Sequence, residues 1–421
     1  MTNIFQWNIS QRKDRAVLFS GIFFTTTIIF LIDLLFGLSG DTQKSIIFSH
    51  GQNFLADFFN HILYVRDFDP YFNSTGSIAD HCFPPLCYLI FHGFTGLVKN
   101  PPTLEALQHD LTAVGTALSL FLIVATGFIS LLGKLSHWNR RHDAMVTLMM
   151  LFSGGLIFTI ERGNFILITV LFVTCYLILK EKKSAAAKTI AAFCLAAASA
   201  TKVYPCIFGI LWLNRRDMKW LLLACVLTLF LGFAPLFCFQ HSILENSLKL
   251  YEIASQQSRL YFDMCPPNLT FPSYVNAASH VLSINLDILT TALIVLNKCL
   301  AILCLAYSFI VSERWKKYFL VAAGLVLLAH QINWYAILYF YPAIFLYLTD
   351  SASFTRKDWI YIISFCFMLT PLQFGTMPAG LSSINAAICS FLLYVVPLTI
   401  ILTQHKESQN VNPGQHDAIK H

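Results

Sequence analysis

The residues able to do chemistry in this chain sit in short polar segments between long apolar runs. These segments are GQNFLADFFN (51–60), ERGN (161–164), TKVYP (201–205), CPPNLTFPSY (265–274) and HQINWYA (330–336). Asp57 lies among Phe54, Phe58 and Phe59. A carboxylate against apolar surface is disfavoured as an anion, which would make it a stronger base and suit it to proton abstraction. An interfacial Asp that merely faces water is the plain alternative. Lys202 stands between two apolar stretches, where a lysine is costly unless it snorkels or meets an anion. Its functional reading is a phosphate contact.

The other segments are less specific. Glu161-Arg162-Gly163-Asn164 is either a tight turn with an interfacial ion pair or part of a site. Cys265-Pro266-Pro267-Asn268-Leu269-Thr270 opens a polar-aromatic loop that could order over a ligand, and Asn268 also starts an N-x-T sequon. His330 precedes Asn333 and Trp334 at the end of an apolar run, where a lone His commonly serves as an interfacial donor. Asp67-x-Asp69 has the look of a metal-binding pair, but Asp-Pro also favours a turn and no metal is expected. Lys298 lies in mid-run with no evident partner. Gly-rich phosphate loops, HExxH and serine nucleophile elbows are absent from the sequence.

These segments need a membrane framework. Hydrophobic residues make up 56% of the 421 and charged residues 12%, about half the charge of a soluble chain. The net charge of +6 lies in clusters at the ends of apolar runs, which argues for orientation in a bilayer and against a nucleic-acid surface. The expected fold is an all-α polytopic membrane protein with about twelve spans. They run roughly over 16–37, 110–133, 144–160, 165–179, 188–201, 203–213, 218–238, 288–311, 318–331, 335–349, 359–374 and 385–403. With the N-terminus inside, most of the 28 Lys and Arg residues fall on the cytoplasmic side, and all five polar segments fall on the other.

Two stretches need the charge pattern to be read. Pro84–Val98 is short and opens with Pro-Pro, so it is expected to be an interfacial or re-entrant helix. The stretch 188–213 is expected to break at Thr201–Pro205 into two short helices, because a single span would send the following basic residues outside. Ser45–Val65 has the apolar spacing of an amphipathic surface helix. The domain expectation is one membrane unit over 1–403, with outer segments at 38–109 and 239–287 and a disordered cytoplasmic tail at 404–421. The first span lacks a small-residue cleavage site and is expected to be retained. The cysteines are scattered as buried hydrophobes, with Cys82 and Cys265 the one conceivable outer pair.

At these residues the chain resembles a GT-C glycosyltransferase of family 87, the polyprenyl-phosphate-mannose-type mannosyltransferases of bacterial membranes. The order of matching features is Asp57, Phe83-Pro84-Pro85, Gly163-Asn164, then Lys202-x-Tyr204-Pro205 with a basic turn after it. Asn268-x-Thr270 and Asn333-Trp334 complete the order. Two departures stand out: His330 precedes the Trp step, where the family commonly has a His after it, and a Ser-Pro before the Trp is missing.

The resemblance implies a GT-C-like bundle and inverting transfer of a mannose-like hexose from a polyprenyl-phosphate donor to a lipid or glycan acceptor. It implies no cofactor or bound nucleotide, and a site on the periplasmic face of a bacterial inner membrane. Asp57 would be the catalytic base. Lys202, Arg162 and Tyr204 would hold the donor phosphate, and Asn164, Asn268, His330, Asn333 and Trp334 would bind substrate. Membrane lipids are expected partners and nucleic acid is not. The rival is a transporter or flippase for a lipid-linked or anionic substrate, which would want its polar groups at mid-depth with access from both faces. An O-antigen-type polymerase would want Arg-rich outer loops, and these are Arg-poor.

Overall fold

The chain reverses direction at Lys202, and this reversal decides where the polar segments end up. The structure, a computed structural model, describes residues 11–36, 53–73, 80–96, 103–135, 140–264, 268–349, 358–370 and 384–410. The described residues are overwhelmingly helical, and they contain one isolated β-bridge, between Asn268 and Asn333.

The N-terminal half contains α1 (Gln11–Phe36), α2 (Ala56–Tyr64), α3 (Pro85–Thr95), α4 (Leu104–His109) and α5 (Leu111–Leu135). It continues with α6 (Arg140–Leu151), α7 (Gly154–Arg162), α8 (Ile166–Leu179) and α9 (Ala185–Thr201). After a 3₁₀ segment at Tyr204–Trp212 come α10 (Met218–Phe233), α11 (Ile243–Met264), α12 (Phe271–Leu282), α13 (Asp287–Ile310) and α14 (Arg314–Leu328). A second 3₁₀ segment, Trp334–Phe340, runs into α15 (Tyr341–Thr349), followed by α16 (Asp358–Leu369) and α17 (Ile384–Asn410).

Among the described residues, four helical stretches are long and apolar enough to cross a membrane unaided: Leu111–Leu135, Met218–Cys238, Asp287–Ile310 and Ala386–Gln404. Of the other expected spans, 165–179, 188–201, 335–349 and 359–374 fall on shorter apolar helices, while 144–160 is broken between α6 and α7 and 203–213 is a 3₁₀ segment. Such breaks are tolerated at membrane depth only where neighbouring protein satisfies the freed backbone. At the junction of α6 and α7, Ser153 donates to the Met150 carbonyl and accepts from the Tyr341 hydroxyl at 2.6 Å. Gly155 lies so close to the second 3₁₀ segment that an added Cβ would come within 2.3 Å of Ile337. That close approach brings Tyr335 against Phe158, with ring centroids 6.0 Å apart.

α9 is rich in alanine, the strongest helix former, and its small side chains pack closely between neighbours. It stops because Lys202 takes extended backbone and Pro205 cannot donate to a continuing helix. The 3₁₀ segment then returns alongside. Thr169 at the start of α8 meets Thr201 at 3.0 Å, whereas the Tyr176 hydroxyl reaches the Phe208 carbonyl at 3.0 Å and its ring packs on Trp212. Lys188, near the start of α9, pairs with Asp217 just before α10. Residues 188 and 217 therefore share one end of the bundle, and the expected break at Thr201–Pro205 is present.

That end also gathers Lys180 with Glu181, the Tyr318 hydroxyl on Glu181 at 3.3 Å, and Arg314 on the Leu135 carbonyl at 3.4 Å. The polar segments of interest lie at the opposite end.

Three expectations change. The outer segment 239–287 is not an extended loop but carries α11 and α12, because a Ser242–Glu245 capping box starts a helix there. The tail is helical through Asn410, since α17 continues past its apolar part, and 411–421 lie outside the described residues. The amphipathic helix appears as α2, shorter than Ser45–Val65; its expected first part lies outside the described residues, as does Cys265. Pro84–Val98 yields the 11-residue α3, too short to cross a bilayer.

Candidate active site

α2 begins abruptly. Leu55 takes a left-handed backbone (φ 54°) and donates its N–H to the Glu161 carbonyl at 2.6 Å. This bond ties the first turn of α2 to the turn Glu161–Asn164. Gly163 closes that turn with φ 65°, a conformation open to glycine at little cost. Residues more than a hundred positions apart in sequence are thereby brought together.

The result is a three-residue cluster. Asp57 accepts from the Arg162 guanidinium at 2.9 Å on one carboxylate oxygen and from the Asn164 carboxamide at 2.6 Å on the other. Asn164 is buried, and its own carbonyl oxygen is held by the Ile166 N–H at 3.0 Å, which fixes the direction of its NH₂. Asp57 in turn pushes the Arg162 guanidinium above its ordinary range, so the arginine stays charged. The surroundings of the Asp57 carboxylate are thus polar, and not the apolar surface that the flanking phenylalanines suggested. Phe58 and Phe59 point instead into the core, where Phe58 meets Phe91, Phe94 and Phe121 edge-on. Arg162, expected at a donor phosphate, is engaged by Asp57.

Beside this cluster lies a cavity of about 310 Å³. Lys202, Tyr204, His330 and Asn333 line it, so four of the expected site residues share one space. The Lys202 ammonium sits 3.7 Å from the centroid of Phe83, and among the described residues it makes no ion pair. A cation over a ring face is partly compensated and remains available to an anion. Asn333 donates to the Tyr335 hydroxyl and accepts from Gln331, both at 2.6 Å. Tyr335 lies within electrostatic reach of both Asp57 and Arg162, linking the cluster to the cavity. His330 stacks on Phe262 at 4.6 Å, and desolvation holds its imidazole below the ordinary value.

Five expected residues are not on the cavity wall: Asp57, Arg162 and Asn164 form the adjoining cluster, and Asn268 and Trp334 lie elsewhere. Asn268 is fully buried; its side chain donates to Ser273 at 2.9 Å and accepts from the Thr270 N–H at 2.9 Å. Thr270 in turn accepts from the Ile332 N–H at 3.2 Å, so this segment docks the loop before Trp334. In this buried state the sequon is inaccessible. Trp334 is also buried and starts the second 3₁₀ segment. Asp67 and Asp69 face residues 240–241: the Asp67 carbonyl accepts from Gln240 at 2.6 Å and Asp69 meets His241 at 3.6 Å. Among the described residues no group of three acidic, His or Cys side chains could hold a metal.

Residues of α11 were missed. Ala254, Gln257, Ser258 and Tyr261 line the cavity from one face of that helix. Their i, i+3, i+4, i+7 spacing was readable as one helical face, had the segment been read as a helix. The Tyr261 hydroxyl donates to Asp80 at 2.9 Å. Asp80 had no signal in the sequence beyond its charge.

Apolar helices long enough to span a bilayer, a part-buried carboxylate cluster and an adjoining cavity describe a helical membrane protein with a candidate site. The sequence model of glycosyltransferase family 87 matches residues 98–330, more than half of the chain, and the protein belongs to that family of glycosyltransferases. The matched range contains Arg162, Asn164, Lys202, Asn268 and His330, while Asp57 precedes it. Neither a curated protein nor a solved structure matches the chain.

Proposed function

We propose that this glycosyltransferase moves a mannose-like hexose from a polyprenyl-phosphate donor to a lipid or glycan acceptor, with inversion, at the periplasmic face of a bacterial inner membrane. The observation that carries this reading is the pairing of an oriented carboxylate, Asp57, with a cation, Lys202, that makes no ion pair among the described residues, beside one cavity. A nucleotide sugar is not to be had outside the cytoplasm, so a site on that face needs a donor carried on lipid. The side assignment follows from the clustering of Lys and Arg at the opposite end.

In the proposed step, the acceptor hydroxyl gives its proton to Asp57 as its oxygen forms a bond to the anomeric carbon. The bond from that carbon to the phosphate oxygen breaks on the opposite side, and the electron pair leaves with the polyprenyl phosphate. Each Asp57 oxygen has two lone-pair directions, so one remains for the hydroxyl after Arg162 and Asn164 have taken theirs. Those two donors act as positioning groups for the base. Lys202 supplies countercharge to the departing phosphate, and Tyr204 on the same wall offers a hydroxyl to it. Asn333 and His330 are left to meet sugar or acceptor hydroxyls.

The test is transfer of radiolabelled hexose from a lipid-linked donor by membranes carrying Asp57→Asn. The substitution keeps shape and removes the base, so transfer should fall by about 10²–10⁴-fold with expression unchanged. Activity within a few-fold of wild type would exclude Asp57 as the base.

A further inference from the structure

Lys298 takes no part in the step just described. It lies half-way along the 24-residue α13, and its side chain is exposed. Val295, Leu296, Ile302 and Leu303 around it are exposed as well, which makes this the surface that meets lipid tails. Among the described residues Lys298 makes no ion pair. At 1.5 Å per residue it stands roughly 16–18 Å from either end of α13, too far for its stem to reach bulk water along the helix. An unpaired ammonium at such a depth is costly, so it asks for an anion.

Helix register says where that anion would sit. α13 packs against α14, with Gly324 so near that an added Cβ would come within 2.7 Å of Leu305 and 3.4 Å of the Ala301 carbonyl. α14 has 15 residues against 24 in α13, so it ends well short of its neighbour. One turn from Ala301 toward the site end reaches Lys298; the same direction from Gly324 leads past Leu328 to His330. His330 lines the cavity and stacks on Phe262. Lys298 is close enough for its charge to act on the His330 imidazole, with Asp263 acting in the opposite sense. The middle of a lipid-facing helix thus coincides in height with the wall of the cavity.

We propose that Lys298 and His330 form a docking site for the phosphate of a membrane lipid on the lipid-facing flank of the cavity. A phosphate there places its hydrocarbon chains in the bilayer against the exposed aliphatic residues of α13 and its headgroup toward the cavity. The Lys298 charge is then matched without snorkelling. Only the identity of the lipid, a polyprenyl phosphate, rests on the function proposed above; the site itself does not.

The experiment measures binding and needs no transfer. Purified full-length protein in phosphatidylcholine nanodiscs is titrated with polyprenyl phosphate, and separately with inorganic phosphate. Thermal stability is recorded with and without phosphatidylglycerol in the disc. Lys298→Leu, which suits a lipid-facing position and should fold, is expected to weaken polyprenyl phosphate binding by about tenfold or more, with Lys298→Arg restoring it. Inorganic phosphate binding should be unchanged. Loss of phosphatidylglycerol-dependent stability alone would support the same site with a bulk anionic lipid as its occupant. No response to either lipid overturns the proposal in favour of snorkelling, and an equal loss of inorganic phosphate binding overturns its lipid character. Lys202→Met, run in parallel, reports the donor phosphate contact independently.

Discussion

Gly163 stands so close to Phe58 that a Cβ on the glycine would come within 2.8 Å of the Phe58 Cβ. The bond from Leu55 to the Glu161 carbonyl runs beside this contact, and together they set the distance from Asp57 to Arg162 and Asn164. Gly163→Ala therefore strains a left-handed turn, at about 1–3 kcal/mol, and also pushes α2 off the turn. Thermal unfolding should shift downward and transfer should be lost beyond what the lower stability explains. Wild-type turnover at a temperature where the variant is folded would show that this contact does not set the site.

Asn164→Ala removes one of the two donors that aim Asp57 while leaving Arg162 in place. A base misplaced by an ångström can cost on the order of 10²-fold, so kcat should drop strongly. Donor KM should hardly move, because Asn164 does not line the cavity. A rise in KM with unchanged kcat would make Asn164 a substrate contact and not a positioning residue.

Lys202→Met keeps most of the apolar stem and removes the charge that rests on Phe83. Charged hydrogen bonds are worth roughly 1.5–3 kcal/mol, so donor affinity should fall about 10- to 100-fold, with slower turnover. Lys202→Arg should recover part of both. Unaltered binding and turnover in Lys202→Met would remove the phosphate role, whatever Asp57→Asn shows.

The reversal at Lys202 makes a claim about sidedness. In a background cleared of native cysteines, tags at Ser184 and Arg215 should behave alike and be shielded from an impermeant reagent in intact cells. A tag at Ser255 on α11 should react. Opposite behaviour of Ser184 and Arg215 would contradict the shared end set by Lys188 and Asp217. Reaction of both, with Ser255 shielded, would put the cavity on the cytoplasmic side.

Composition and periodicity alone determined that this is a helical membrane protein, because apolar length and charge spacing answer to the bilayer and not to any particular partner. The break at Thr201–Pro205 was legible for the same reason: a proline and a misplaced set of basic residues are local signals. Asp57 and Lys202 were legible as exceptions, since charge in apolar surroundings is costly wherever the chain goes. Their partners were not. That Arg162 and Asn164 converge on Asp57, that Lys202 rests on Phe83, and that Tyr261 of α11 reaches Asp80 are contacts between residues distant in sequence. Asn268 shows the converse, a polar residue that looked free in sequence and is consumed by Ser273 and Thr270. Hydrogen-bond partners depend on which helices pack together and in what register. Only the tertiary structure decides that, because local pattern tells a polar side chain that it must be satisfied but not by which neighbour.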